Sequence, residues 1–306
     1  MLIDGRAYAQ ELGDTLRQEL EQLPGTAGIA TILVGDDLAA GVYQRRIDRQ
    51  ARQAGMVSRV EHLPADATIG QVVGKIAEVD ADPEITGILV LRPLPDHLPE
   101  SRIFAALPPL KDVEALHPVN AGLLSLGTPR FVPSTPASAF HMLDRYTASQ
   151  GRDPATAYDG LDLVLVGRSN NVGKPAAILG LQRNATVISC HRYTFDAGRL
   201  TEHTRTADVL IVAAGVPGLI TGDMVREGAI VVDIGINAIE QADGSVKLVG
   251  DVDTDSVAAV AEAVSPVPGG VGPITDIWVL RNTITAAWLL SGPPQLVAPP
   301  EQLLGL

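Results

Sequence analysis

Six short runs dominated by aliphatic residues punctuate the chain, at 28–34 (GIATILV), 87–91 (GILVL), 163–166 (LVLV), 186–189 (TVIS), 209–213 (VLIVA) and 230–234 (IVVDI). Each is too short for a typical helix and apolar on both faces, the pattern of central parallel strands covered by helices on either side. Helical patterning fills the intervals at 39–55 and 71–79. Strand, helix, strand in this rhythm predicts an α/β fold with right-handed crossovers. A proline-rich interval, 93–136, parts the first two runs from the other four.

Composition removes several classes of function. Hydrophobic residues make up 46% and charged ones 19% of the 306 residues, so the chain can bury a core and is not a disordered one. Lys+Arg 23 against Asp+Glu 36 leaves a net charge of −13, which argues against non-specific nucleic-acid binding. Cys190 is the single cysteine, so no disulfide framework and no multi-cysteine metal site is expected. The first twenty residues carry charges from Asp4 and Arg6 onward and lack the apolar core of a signal peptide. No stretch of about 18 uncharged apolar residues predicts a membrane span, and a cytoplasmic location is expected. The tail after Leu290 (SGPPQLVAPPEQLLGL) reads as peripheral.

Behind the run LVLV comes Gly167-Arg168-Ser169-Asn170-Asn171-Val172-Gly173-Lys174-Pro175, then an apolar helical stretch. Strand, glycine turn and helix form the arrangement that holds a pyrophosphate, through backbone N–H groups and the helix dipole. Gly167, Arg168, Ser169, Val172 and Gly173 are therefore candidate cofactor contacts. Only two of the nine are glycines, so the spacing is not GxGxxG, and a plain βα turn requiring positive φ is the alternative. Arg168 leaves the strand where an adenosine ribose would lie, and Arg192, after TVISCH, can converge there. Two cations at that place suit a 2′-phosphate and favour NADP, with NAD the alternative. Either arginine could instead pair with a surface carboxylate.

Two further loops close strand-like runs: Ala213-Ala214-Gly215-Val216-Pro217-Gly218 and Asp233-Ile234-Gly235-Ile236-Asn237. In an open parallel sheet ligands lie across the carboxyl ends of the strands, which makes Ala214, Gly215, Gly235 and Ile236 candidate cofactor contacts. Pro266-Val267-Pro268-Gly269-Gly270-Val271-Gly272-Pro273 fits no regular element and reads as a shaped loop that lets backbone approach something closely. Pro268, Gly269 and Gly270 are candidate substrate contacts, and Thr275 just beyond is grouped with the cofactor residues.

The motifs VGDDLAAGVY, GILVLRPLP, KDVEALHPVN, GRSNNVGKP, DIGIN, GDVD and PVPGGVGP, in that order and spacing over residues 1–290, closely resemble the bifunctional methylenetetrahydrofolate dehydrogenase/methenyltetrahydrofolate cyclohydrolase family. The resemblance implies two α/β domains with the active site in the cleft between them. Residues 1–136 plus 275–306 would form the folate domain, to which the carboxyl-terminal helix returns, and 137–274 a Rossmann-like NAD(P)-binding domain. It implies a homodimer paired through the dinucleotide domains. The implied chemistry is NADP-linked oxidation of 5,10-methylenetetrahydrofolate to 5,10-methenyltetrahydrofolate, then hydrolysis to 10-formyltetrahydrofolate.

Carried over residue by residue, the match is uneven. The family's Tyr-x-x-x-Lys places the tyrosine near the pterin and the lysine at the cyclohydrolase step. Here Tyr43 is present and the lysine position is Ile47, on the same helix face. The family's Val-Gln-Leu-Pro-Leu-Pro becomes Val90-Leu91-Arg92-Pro93-Leu94-Pro95, so the glutamine that bonds the lysine is Leu91. Lys-Asp-Val-Asp-Gly becomes Lys111-Asp112-Val113-Glu114-Ala115, which puts Glu114 where the pterin-gripping aspartate stands. Pro-Cys-Thr-Pro becomes Pro133-Ser134-Thr135-Pro136. Loss of both the lysine and its partner predicts a settled apolar pocket, because losing one alone would leave a buried polar group unpaired. Neither Ile47 nor Leu91 can position a water or manage its proton, and Arg46 is too weak an acid to serve as a base.

The expected function is thus a dehydrogenase with cyclohydrolase activity weak or lost. Hydride transfer asks the protein mainly for positioning, which Tyr43, Glu114 and the cofactor loops can supply. A fully bifunctional enzyme recruiting another residue is one alternative. Another is a family fold turned to a different small molecule or to non-catalytic binding, suggested by Asp276-Ile277-Trp278, where the family carries small or aliphatic residues. Trp278 would then reshape the pocket, or simply pack on the last helix. His117, His191, Cys190 and Lys111 read as structural, no metal site is expected, and Asp112 and Glu114, two apart, should point differently.

Overall fold

The computed structural model describes residues 1–241 and 245–292; from residue 293 on, the proline-rich tail lies outside the described residues. In chain order the elements are α1 (Gly5–Glu21), β1 (Gly28–Val34), α2 (Leu38–Gln53), β2 (Val57–Leu63), α3 (Ile69–Asp80), β3 (Gly87–Val90), α4 (Glu100–Phe104), α5 (Pro118–Ser125) and α6 (Ser134–Ser149). There follow β4 (Asp162–Val166), α7 (Gly173–Gln182), β5 (Thr186–Cys190), α8 (Arg192–Asp196), α9 (Leu200–Thr204), β6 (Val209–Val212), β7 (Ile230–Asp233), β8 (Asn237–Glu240), β9 (Val246–Val249), α10 (Thr254–Ala258), β10 (Ala263–Val264) and α11 (Val271–Ser291). The α/β class expected from the aliphatic runs is what the chain adopts. None of the described helices is long and apolar enough to cross a membrane.

Packing divides the chain into two units. One joins Leu12–Ser134 with the chain from Asp276; the other joins Met1–Glu11 with Thr135–Thr275. The sequence places residues 1–136 together in one domain, whereas the first eleven pack with the unit that holds Thr135–Thr275. The cause is backbone pairing: Leu2 bridges Val264, Ile3 N–H donates to Val264 O at 3.0 Å, and Gly5 N–H donates to Gly269 O at 2.9 Å.

The first unit holds a parallel sheet of order β2-β1-β3. Every residue of β1 is buried, and its alternating side chains feed two cores. Ile29 and Leu33 join Leu89, Leu91, Ile47 of α2 and Val279 and Ile284 of α11. Ala30, Ile32 and Val34 join Ile88 and Val90, with Val72, Ile76 and Val79 of α3 and Ile103 of α4. α2 begins at Asp37, whose carboxylate accepts from Ala40 N–H at 2.8 Å, and it buries Ala40, Gln44, Ile47 and Ala51 at helical spacing. α3 opens with a capping box between Thr68 and Gln71.

The second unit carries a parallel sheet of order β10-β7-β6-β4-β5. β4, β6 and β7 are the buried central strands the sequence predicts. The run TVIS is different: β5 is an edge strand with Thr186 and Ser189 exposed, because only β4 pairs with it. β2, with its polar Ser58, Arg59, Glu61 and His62, and the antiparallel pair β8–β9 have no aliphatic run to announce them.

Candidate active site

In the first unit, Tyr43 sits one turn ahead of Ile47 on α2. Ile47 is 0% and Leu91 2% exposed, and both belong to one aliphatic cluster with Leu33, Ala51, Leu89 and Val113, against which the half-buried Tyr43 packs. Leu91 N–H donates to Ile32 O at 2.9 Å, which continues the β1–β3 ladder and fixes the side chain toward α2.

Glu114 accepts a hydrogen bond from Ser134 N–H at 3.2 Å and another from the Ser134 hydroxyl. Burial pushes its carboxyl up to about 7; the Ser134 bonds oppose that rise, Asp112 adds to it and Arg92 opposes it. Arg92 itself holds Glu100 bidentately at 2.7 and 2.9 Å. Burial, with the charges of Glu114 and Asp276, drives the Tyr43 hydroxyl well above the ordinary phenol range, and Arg46 opposes them. Tyr43, Glu114, Arg46 and Asp276 therefore share one electrostatic neighbourhood.

Asp276, two residues before Trp278, joins this neighbourhood although no motif marks it. It is 2% exposed, and its Oδ2 lies 2.7 Å from Arg46 Nε. Gln50 Nε2 donates to the same oxygen at 3.4 Å. Burial raises its carboxyl to about 6, against the pull of Arg46. The available signal was an acid placed within the otherwise apolar first turns of α11. Trp278 is buried, with the Arg281 guanidinium 5.2 Å over its ring.

The neighbouring polar residues serve the scaffold. Asp112 accepts from Leu116 N–H, His117 N–H and Asn120 Nδ2, at 3.2, 2.8 and 2.9 Å. His117 Nδ1 accepts from Val119 N–H at the start of α5. Lys111 Nζ donates to Asp80 O at 2.7 Å.

In the second unit, β4 runs through the glycine loop into α7. Gly167 has φ +124°, and a Cβ there would meet Ala213 O at 2.2 Å. At Gly173 a Cβ would meet Gly167 O at 2.2 Å, so both glycines are required by backbone that passes backbone. Ser169 Oγ accepts from Val172 N–H at 3.2 Å and Gly173 N–H at 3.4 Å, which orders the turn. Pro268, Gly269 (φ +113°), Gly270 and Thr275 also fall in this unit, where the Thr275 hydroxyl donates to Val271 O at 3.2 Å.

Comparison with known proteins decides what these two units are. Residues 133–290 match the family description "Tetrahydrofolate dehydrogenase/cyclohydrolase, NAD(P)-binding domain", and residues 3–114 match the catalytic domain of the same family. The chain belongs to the tetrahydrofolate dehydrogenase/cyclohydrolase family. A curated relative, "Bifunctional protein FolD 3" of Rubrobacter xylanophilus, is 54% identical over 93% of this chain and 91% of its own. The solved FolD methylenetetrahydrofolate dehydrogenase/cyclohydrolase of Campylobacter jejuni has a TM-score of 0.85 and 37% identity, covering 94% of this chain and 98% of its own. FolD of Trypanosoma brucei, solved with NADP cofactor and inhibitor, has a TM-score of 0.86 and 29% identity, covering 96% and 99%.

The NAD(P)-binding domain of this family member fits a dinucleotide at its glycine loop. Arg168 is exposed and makes no ion pair among the described residues. Arg192 is exposed too, its nearest carboxylate being Asp196 at 3.6 Å. The loop Ala214–Val216 is held from below. Asp251, fully buried, accepts from Ala214, Gly215 and Val216 N–H at 2.6, 2.8 and 2.9 Å and from Asn237 Nδ2 at 2.9 Å. Those amide donors are already engaged and are not free for a ligand. Asp233, likewise buried, accepts from Gly235, Asp251 and Val252 N–H, and burial pushes it up to about 7. GDVD and DIGIN are thus motifs of loop support. Replacing Asp251→Ala removes the shared acceptor of three part-buried amides and is expected to lower stability by about 3 kcal/mol, read from the urea midpoint at constant m-value.

Proposed function

We propose that this family member is an NADP-dependent 5,10-methylenetetrahydrofolate dehydrogenase whose methenyltetrahydrofolate cyclohydrolase step is weak or lost. The observation that carries the proposal is the burial of Ile47 and Leu91: where the family's motifs have a lysine and its glutamine, this chain has two side chains sealed in one aliphatic cluster. Hydrolysis needs a positioned water and a group to move its proton, and an aliphatic pair offers neither. Hydride removal needs a folate held in one orientation. Tyr43 offers an aromatic face and Glu114 a carboxylate for the N–H donors of the aminopyrimidinone ring. NADP, when bound, supplies the hydride acceptor. Gly167, Ser169, Val172 and Gly173 would hold its pyrophosphate, Gly235 and Ile236 would flank it, and Arg168 and Arg192 would take its 2′-phosphate. Pro268, Gly269 and Gly270 would border the folate. The location would be the cytoplasm.

A time course of full ultraviolet spectra with 5,10-methylenetetrahydrofolate and NADP⁺ tests the proposal. Reduced-nicotinamide and methenyl bands should grow together, and the methenyl band should persist. Its enzyme-dependent decay would instead favour a fully bifunctional enzyme, the alternative supported by the bifunctional designation of the Rubrobacter relative. Cofactor choice has its own test. Arg168→Ala should raise KM for NADP about tenfold and leave KM for NAD within about twofold.

We also propose a homodimer paired through the dinucleotide units. Val246 and Leu248, on one face of the β8–β9 pair, are exposed, an aliphatic surface consistent with a partner. A monomer mass by light scattering would rule this out.

A further inference from the structure

The Arg46–Asp276 pair beside Tyr43 is lopsided in its burial. The Asp276 side chain is 3% exposed and that of Arg46 40%. Asp276 Oδ2 accepts from Gln50 Nε2 and lies 2.7 Å from Arg46 Nε in an ion pair that lacks hydrogen-bond alignment, while Oδ1 is buried and accepts no hydrogen bond among the described residues. A carboxylate so placed is costly unless a cation compensates it. Arg46 is that cation, and the pairing fixes it on the Nε side. The guanidinium carbon then stands 5.3 Å from the Tyr43 ring centroid. The two terminal nitrogens of the fork make no hydrogen bond among the described residues, so their four N–H donors remain on a half-exposed cation held at its Nε side. Arg49 lies one turn further along α2 on the same side and adds to the positive field at Asp276. In a chain of net charge −13, an arginine held this way at the edge of the candidate site points to an anionic ligand.

We propose that Arg46 binds a carboxylate of the glutamyl tail of the reduced folate, and that Asp276 is the positioning residue that orients it. This rests on the folate assignment of the Tyr43–Glu114 site. Within a tetrahydrofolate the pterin presents N–H donors, for which Glu114 is the matching acceptor, and a flat ring, for which the Tyr43 face is the match. The glutamyl carboxylates are the anions of the molecule, and a bidentate guanidinium is their natural partner. Orienting Arg46 in advance removes the side-chain entropy that a free arginine would lose on binding.

The test compares two substrates on the whole protein: 5,10-methylenetetrahydrofolate and 5,10-methylenetetrahydropteroate, which lacks the glutamate. The wild type should show a KM for the folate about tenfold below that for the pteroate. Arg46→Ala should raise the folate KM to the pteroate value, with kcat little changed and the pteroate KM unmoved. Arg46→Lys should recover part of the difference, and Asp276→Asn should lose part of it. Should Arg46→Ala fail to fold, the wild type still decides, because the folate KM should rise with ionic strength and the pteroate KM should not. Equal KM values in the wild type, or an equal rise for both substrates in Arg46→Ala, would overturn the proposal and leave the folate assignment standing. Turnover of neither substrate by the wild type would overturn the folate assignment, and this inference with it.

Discussion

Replacing Ile47→Lys together with Leu91→Gln is expected to raise the rate of methenyltetrahydrofolate hydrolysis about 10²-fold over the parent, the scale of one positioned acid–base group. Ile47 lies one helical turn after Tyr43 and in the same cluster as Leu91, so a lysine and a glutamine at these positions would fall within one neighbourhood. The single changes separate packing from chemistry. Lysine alone sets an ammonium among Leu33, Leu89 and Val113 with no glutamine to accept from it. Ile47→Lys should therefore be the less stable protein, with the double variant recovering about 1 kcal/mol, the net value of a typical hydrogen bond. Decay of the methenyl band and the urea midpoint check the two halves. A folded double variant that hydrolyses no faster than the parent would remove the lost pair as the cause of weak hydrolysis.

Glu114→Gln should lower kcat/KM for methylenetetrahydrofolate by about 10- to 100-fold, the value of one or two charge-assisted hydrogen bonds. It should also flatten a pH dependence. The Glu114 carboxyl is pushed up to about 7 by burial, so below that pH it is protonated and presents one acceptor fewer to a ring N–H. The folate KM of the parent should fall as pH rises through 7, and that of Glu114→Gln should not follow. Stability moves the other way. The unfolded carboxyl, with its ordinary value of 4.5, loses its proton first, so Glu114 favours the fold most below pH 4.5 and that contribution is lost as pH rises through 7. Thermal midpoints between pH 5 and 8 should therefore fall less steeply for Glu114→Gln than for the parent.

Where a strand was buried on both faces, its aliphatic run announced it, and β1, β4, β6 and β7 lie within a residue of where their runs stop. Strands with one open side escaped or misled. β2 carries Arg59 and Glu61 because nothing pairs with its outer edge, and β5 passed for a central strand because Val187 and Ile188 dominate its pattern. The placement of residues 1–11 was hidden for a related reason, since backbone bonds to Val264 and Gly269 leave no mark in side-chain pattern. At the candidate site, motif spacing was enough to single out Tyr43, Ile47, Leu91 and Glu114. Asp276 was not legible as a site group. Its meaning depends on Arg46, 230 positions away by number, and only packing brings α2 and α11 together.

The Asp251 carboxylate that ties down Ala214–Val216 also sets how that loop can open. Irregular loops usually exchange their amide hydrogens one by one, through small local fluctuations. Here three consecutive amides share a single buried acceptor that lies 37 residues beyond the first of them. To free one amide, the loop must withdraw from a carboxylate that Gly235 and Asn237 also crowd. The three protons should therefore exchange with a common opening free energy, in step with the segment around Asp251, so that two stretches distant in sequence behave as one kinetic unit.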